Sequence, residues 1–228
     1  MPLSTINPDT FNKIPAATRR WFTAGNHVEA LFGADCCAGT SEQDIWTRLG
    51  ELLAGAQQRI DVEMYELDQP RMLDLLCAQA HRGIAVRIIG DPPDGINAPA
   101  RQAAIEQLRA AGCEVVIYPV SATEAARRPL DHMKLLLVDG HAAVIGGMNW
   151  GTHSPANHDY DVAVAGPAVG RMQWRFNLDW NHSGGSPHPA SSTPWQPPAG
   201  DAFVNFVTTE GADGEHLIGR TVLRAIRN

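Results

Sequence analysis

Residues 131–149 read DHMKLLLVDGHAAVIGGMN. Side chains alternate along a strand, so His132 and Lys134 share one face while Met133 and Leu135 take the other. Two apolar runs, Lys134–Val138 and Ala142–Ile145, flank Asp139-Gly140, a favoured hairpin turn pair. Gly146, Gly147 and Asn149 follow the second run. The stretch predicts a hairpin whose open end carries polar groups, a site at a sheet edge.

The flanking sequence places that hairpin in an α/β fold. Val28 to Phe32 is a short apolar strand. Ile45, Leu49, Leu52 and Leu53 predict a helix over 42–57, with Ser41 as its N-cap. Alternation predicts a strand over 59–67. Gln69-Pro70 opens a helix that Gly83 stops. A strand follows at 84–89, a loop at 90–95, a helix at 99–111 and a strand at 114–118. After a polar loop over 119–131 and the hairpin come a strand at 161–165 and a helix at 167–180. This order predicts a central mixed β-sheet flanked by helices. SGGSPHPASSTPWQPPAGDA, residues 183–202, has linker composition. Residues 204–228 then repeat the layout of 28–55: apolar strand, small-residue loop, amphipathic helix (Ile218, Val222, Ile226). The expected organisation is an N-terminal extension over 1–27, a catalytic half-domain over 28–182, a linker over 183–202 and an incomplete second repeat from 203.

The chain has 228 residues, 44% of them hydrophobic, and a net charge of -7. Phosphate affinity rests on Lys and Arg, so this acidity counts against a nucleic-acid binder. Arg19-Arg20 and Arg127-Arg128 are the clustered basic pairs. No run approaches the ~18 apolar residues of a transmembrane helix, and the N-terminal stretch reads as neither signal nor anchor. A cytoplasmic or peripheral membrane protein is expected. Cys77 and Cys113 lie in apolar patterns, and Cys36-Cys37 lacks metal-ligand spacing, which suits a reducing compartment.

An imidazole beside an ammonium suits phosphate chemistry. The imidazole attacks phosphorus or moves a proton, and the ammonium holds a phosphate oxygen. The Asn149 amide can donate to another oxygen, and Gly146 and Gly147 let substrate approach the backbone. His132-x-Lys134, four residues, Asp139, six residues, then Gly146-Gly147-Met148-Asn149 resembles the signature of the phospholipase D superfamily. The likeness covers roughly residues 28–182. The Gly-Gly form, Asp159-Tyr160-Asp161 and Ala165-Gly166-Pro167-Ala168-Val169 resemble first halves of cardiolipin synthases and bacterial phospholipases D.

The resemblance implies hydrolysis or transphosphatidylation through a phosphohistidine, with a phospholipid or small phosphodiester as substrate and no metal or other cofactor. His132 would be the nucleophile, and Lys134 and Asn149 would bind phosphate. A downstream acid would orient the histidine. Asp159 is the first candidate and Asp161 the second, with Asp161 also a substrate-lining candidate. Asp139, in the turn, is expected to be structural. Glu63, Glu66 and Asp91 are weaker candidates.

Of the nine histidines, His132 alone is followed by a lysine two residues on. The implied mechanism needs a second imidazole as general acid. Either a homodimer or a complementary C-terminal chain would supply it, and the partial repeat at 204–228 favours the complementary chain. The competing readings are a single-signature endonuclease working as a homodimer and a non-catalytic half that needs its partner.

Overall fold

The computed structural model describes residues 23–33, 44–93, 97–119, 130–187, 196–208 and 218. Cys36-Cys37, Ser41, both arginine pairs, most of the 119–131 loop and all but Ile218 of the expected C-terminal helix lie outside these residues. The elements are β1 (Thr23–Phe32), α1 (Ile45–Gly55), β2 (Arg59–Met64), α2 (Pro70–His81), β3 (Ala85–Gly90), α3 (Ala98–Ala110), β4 (Glu114–Ile117), β5 (Lys134–Val138), β6 (Ala142–Gly146), β7 (Tyr160–Ala165), α4 (Pro167–His182) and β8 (Ala202–Val204). A 3-10 turn spans Ser154–Ala156.

One mixed sheet orders these strands β4-β3-β2-β5-β6-β7-β1-β8. β2, β3 and β4 run parallel. β5 pairs antiparallel with β2, and the pairs β5–β6, β6–β7 and β7–β1 are also antiparallel. The expected mixed α/β sheet is therefore present, and the signature strand β5 lies near its middle.

The helices start where the local chemistry allows. α1 is capped by Asp44, whose carboxylate accepts from Thr47 N at 2.7 Å, so the helix begins later than the 42–57 expectation. At α2 the Gln69 side chain accepts from Arg71 N and Pro70 occupies the first turn. Ile45, Leu49 and Leu53 of α1 and Met72, Leu73 and Leu76 of α2 turn inward at helical spacing.

The sheet separates two cores. On one face α1, α2 and α3 cover Ile60, Val62, Ile88, Leu136, Val138 and Val144. On the other α4 lays Val169, Met172, Phe176 and Trp180 over Leu135, Leu137, Ala143 and Val164. Alternation along β5 thus splits adjacent leucines between the two cores, and Lys134 shares the face of Leu136.

Asp139 fastens the signature hairpin to the sheet. Asp139 and Gly140 both have positive φ, 52° and 70°, and His141 N closes the turn on Val138 O at 3.1 Å. The Asp139 carboxylate accepts from Gln57 N (2.9 Å), Gln58 N (2.8 Å) and Arg59 N (2.8 Å), which ties the turn to the start of β2. Burial pushes this carboxyl up, but the three amides outweigh it and hold its pKa below the usual aspartate value. Asp139→Asn keeps the backbone conformation and loses the charge. It is expected to cost about 2 kcal/mol in urea unfolding near neutral pH. The wild-type advantage should vanish as acid protonates Asp139 below the usual aspartate range.

β8 brings the chain back to the sheet. Thr23 faces Val204 and Asn26 faces Ala202, so residues expected to open a second repeat form this sheet's edge strand. β1 accordingly begins at Thr23, five residues before the expected Val28. Asn26, fully buried, explains the join. Its amide donates to Thr23 O and Ala202 O, and its oxygen accepts from Ala168 N at the start of α4.

Candidate active site

The signature residues other than Asp139 come to one end of the sheet. Lys134 opens β5 opposite Met64, the last residue of β2, and Gly146 closes β6 opposite Asp161 of β7. The same end carries the carboxyl termini of the parallel strands β2 and β3, the usual place for a ligand site in an α/β sheet.

The backbone before His132 is anchored from below. Asp131 N donates to Asp91 Oδ1 at 2.9 Å, and Asp131 Oδ1 accepts from Met133 N at 3.3 Å. Tyr65 N donates to Met133 O at 3.1 Å. Asp91, a candidate for lining substrate, is buried and holds this segment. Glu63 and Asp131 are also buried on the α4 side, near Asp179 and Arg175. Burial first, then the Asp131 and Asp179 charges, raise the Glu63 carboxyl well above its usual pKa. Burial likewise lifts Asp131 to about 6. Burial and the neighbouring carboxylates thus favour the protonated form of Glu63, and its interaction with the Asp131 side chain pulls the same way. One signal for this pairing was in the sequence: Asp131 abuts His132, and Glu63 alternates with apolar Val62 and Met64.

Lys134 is the least conventional group of the site. It is only 6% exposed, and its Nζ donates to His132 O at 3.0 Å. An ammonium has three donors. Among the described residues that one hydrogen bond is what Nζ makes, which leaves donors for an anion. Burial lowers its pKa to about 8, against the pull of Asp131, Glu66, Asp159 and Asp161. The cation thus persists near neutral pH.

His132 is exposed at the surface of this end. Partial burial of the ring and the Lys134 charge hold its pKa below the usual histidine value, while Asp91 and Glu66 oppose them. An imidazole neutral at physiological pH has a free lone pair for attack. No hydrogen bond reaches the ring among the described residues. Neither Asp159 nor Asp161, the two expected partners of the histidine, contacts it.

Asp161 does something else. Its Oδ1 accepts from Gly147 N (2.9 Å) and Met148 N (3.1 Å), so the carboxylate clamps the Gly-Gly loop from beneath. It is 3% exposed, and burial lifts its pKa to about 6. Its carboxylate supports the loop that leads to Asn149. Asp159 is half-buried, and its charge acts on Lys134. Asn149 is held from both sides. Met148 N is clamped by Asp161, and Trp150 N donates to Glu66 O at 2.9 Å while Trp150 O accepts from Asp68 N and Gln69 N. The Asn149 Oδ1 atom is buried with no hydrogen-bond partner among the described residues.

The clamp explains Gly146. A Cβ there would lie 1.9 Å from Asp161 Oδ1 and 2.5 Å from its Cα, and the backbone atom cannot step aside. At Gly147 a Cβ would meet Asp159 Oδ1 at 3.2 Å, the tip of a side chain that can move. Gly146→Ala is expected to cost about 3 kcal/mol in urea unfolding. Gly147→Ala should cost under about 1 kcal/mol. Equal losses would contradict the clamp.

Comparison with known proteins agrees with this architecture. Residues 49–180 match the family model described as cardiolipin synthase, PLD-like domain. The major cardiolipin synthase ClsA of Bacillus subtilis is 27% identical over 212 residues, 85% of this chain and 42% of that protein. Cardiolipin synthase 1 of Staphylococcus epidermidis is 29% identical over 155 residues, 62% of this chain and 31% of that one. The chain therefore spans less than half the length of these curated relatives. Among solved structures, NucT from Helicobacter pylori superposes with a TM-score of 0.59 at 14% identity, covering 69% of this chain and 97% of that one. Nuc from Salmonella typhimurium, a phospholipase D family member, gives 0.55 at 18%, covering 69% and 95%. At these identities the two structures establish the fold alone.

Proposed function

We propose, from the premise that this chain belongs to the cardiolipin synthase PLD-like domain family, that it carries one half-site of a phospholipase D-type phosphodiesterase or phosphatidyltransferase. The observation that carries the reading is the placement of His132, Lys134 and Asn149 at one sheet end, in backbone tied down at the neighbouring Asp131, Met133, Met148 and Trp150. Such fixed placement supplies the orientation that phosphoryl transfer needs.

In the proposed reaction a neutral His132 nitrogen attacks phosphorus and the bond to the leaving alcohol breaks. That alcohol takes a proton from a second imidazole. The same imidazole then removes a proton from water or an acceptor alcohol, whose oxygen attacks phosphorus as the phosphorus–nitrogen bond breaks. Lys134 and Asn149 hold the non-bridging oxygens. Asp159 tunes the Lys134 charge, and Asp161 supports the loop that presents Asn149. The second imidazole comes from a complementary chain or from a second copy.

The substrate is a phospholipid, on the strength of relatives named cardiolipin synthases. No helix among the described residues is long and apolar enough to cross a membrane. The test is turnover of phosphatidylglycerol in mixed micelles with excess ethanol, with the chain alone and with a complementary half added. Phosphatidylethanol or phosphatidic acid is the expected product. Cleavage of plasmid DNA at low salt, with no lipid turnover in either arrangement, would favour the endonuclease reading.

A further inference from the structure

We propose that Tyr65 is a positioning residue for His132, its ring forming the wall that fixes the attitude of the imidazole. The inference rests on the proposed nucleophilic role of His132 and adds a residue that the signature does not contain.

Tyr65 directly follows β2 and is pinned at both ends of its backbone. Its N–H donates to Met133 O at 3.1 Å. Its carbonyl accepts from the guanidinium of Arg101, a buried α3 residue that also reaches Asp91 O at 3.5 Å. The chain that carries the ring is thus tied to the segment on either side of His132.

The ring meets three site groups. Its centroid lies 4.6 Å from that of the His132 imidazole, with the planes tilted by 52°. Lys134 Nζ is 5.0 Å from the same centroid, and the Arg101 guanidinium carbon is 5.3 Å from it. Both distances fall within cation–ring range. Tyr65 therefore touches the imidazole and the phosphate-binding cation together, and its spacing between them sets their relative placement.

His132 needs such a wall. Its residue is exposed, and among the described residues no hydrogen bond holds its ring. A free histidine at a surface turns about two side-chain bonds, whereas attack on phosphorus requires one orientation. A ring contact limits that freedom and leaves both nitrogens available, which a hydrogen-bonded orienting group would not.

The contact is read first by NMR on the 228-residue chain, independently of turnover. In wild type and in Tyr65→Phe the His132 ring protons should show the same upfield ring-current shift and the same titration midpoint. In Tyr65→Leu that shift should disappear and the midpoint should rise, because a shield of the imidazole is lost. Identical His132 spectra in Tyr65→Leu and wild type overturn the proposal.

Turnover on the assembled enzyme is the second reading. Tyr65→Leu should lower kcat about 10- to 100-fold. KM should stay within about threefold, and Tyr65→Phe should restore kcat to within about threefold of wild type. A Tyr65→Phe defect as large as that of Tyr65→Leu would assign the role to the hydroxyl and sink the proposal. Wild-type turnover that survives His132→Asn defeats the nucleophile reading instead, and the NMR result still decides whether Tyr65 holds the ring.

Discussion

His132→Asn is expected to lower kcat by about 10⁴-fold or more while leaving the fold intact, since removal of a nucleophile abolishes the covalent route. The side chain is exposed, and among the described residues its ring contact is with Tyr65, so stability should move by under about 1 kcal/mol. Burst kinetics should disappear together with turnover. A variant that keeps a tenth of wild-type activity would exclude His132 as the nucleophile.

Lys134→Met gives the second large effect, and activity and stability should move in opposite directions. The ammonium is buried at 6% exposure, and its burial is opposed by one hydrogen bond and nearby carboxylates. Methionine retains the apolar stem and removes the buried charge. Stability near neutral pH should rise by about 1 kcal/mol or more. Activity should fall about 10²- to 10³-fold, the usual loss of one donor to a developing negative charge.

The pH dependence carries the same signature. With a pKa of about 8, Lys134 in the free enzyme loses its proton as pH rises through that value, and kcat/KM should fall with it. Up to the ordinary lysine value of about 10.4 the unfolded chain still holds the proton that the folded chain has released, so the Lys134 contribution to stability grows with pH. Both trends should be absent from Lys134→Met. Parallel profiles in the two proteins would contradict a buried, functional ammonium.

The fold was legible wherever its cause is local. Alternation across His132, Met133, Lys134 and Leu135 predicts the histidine and lysine on one face, and both side chains meet the Tyr65 ring although β5 begins only at Lys134. Asp139-Gly140 was read as a turn and is one, because positive φ at both positions is a property of those two residues. The helix starts at Pro70 and Pro167 follow from proline chemistry in the same way.

Other features depend on contacts between distant segments. No period in the sequence says that β5 pairs with β2, so the meeting of Met64 with Lys134 was not visible. The family resemblance offers Asp161 as the second candidate for the histidine's partner. Its carboxylate reaches the amides of Gly147 and Met148, which only the register of β6 on β7 puts within range. A tyrosine at a strand end usually means packing, so nothing local marks Tyr65 out. Its contact with His132 arises from the same β2–β5 pairing. The buried Asp61–Arg87 pair, with Arg87 stacked on Phe176 and Trp180, was missed for an equivalent reason: its partners lie on β2, β3 and α4.

The most direct test of the central claim is mass spectrometry of the protein quenched during turnover of a phosphodiester, with the second half-site supplied. The account predicts a phosphoryl or phosphatidyl adduct on the peptide containing His132. The adduct should be labile to acid, as phosphoramidates are, and absent from His132→Asn. Steady turnover with no adduct on His132, or with the adduct on another residue, would contradict it.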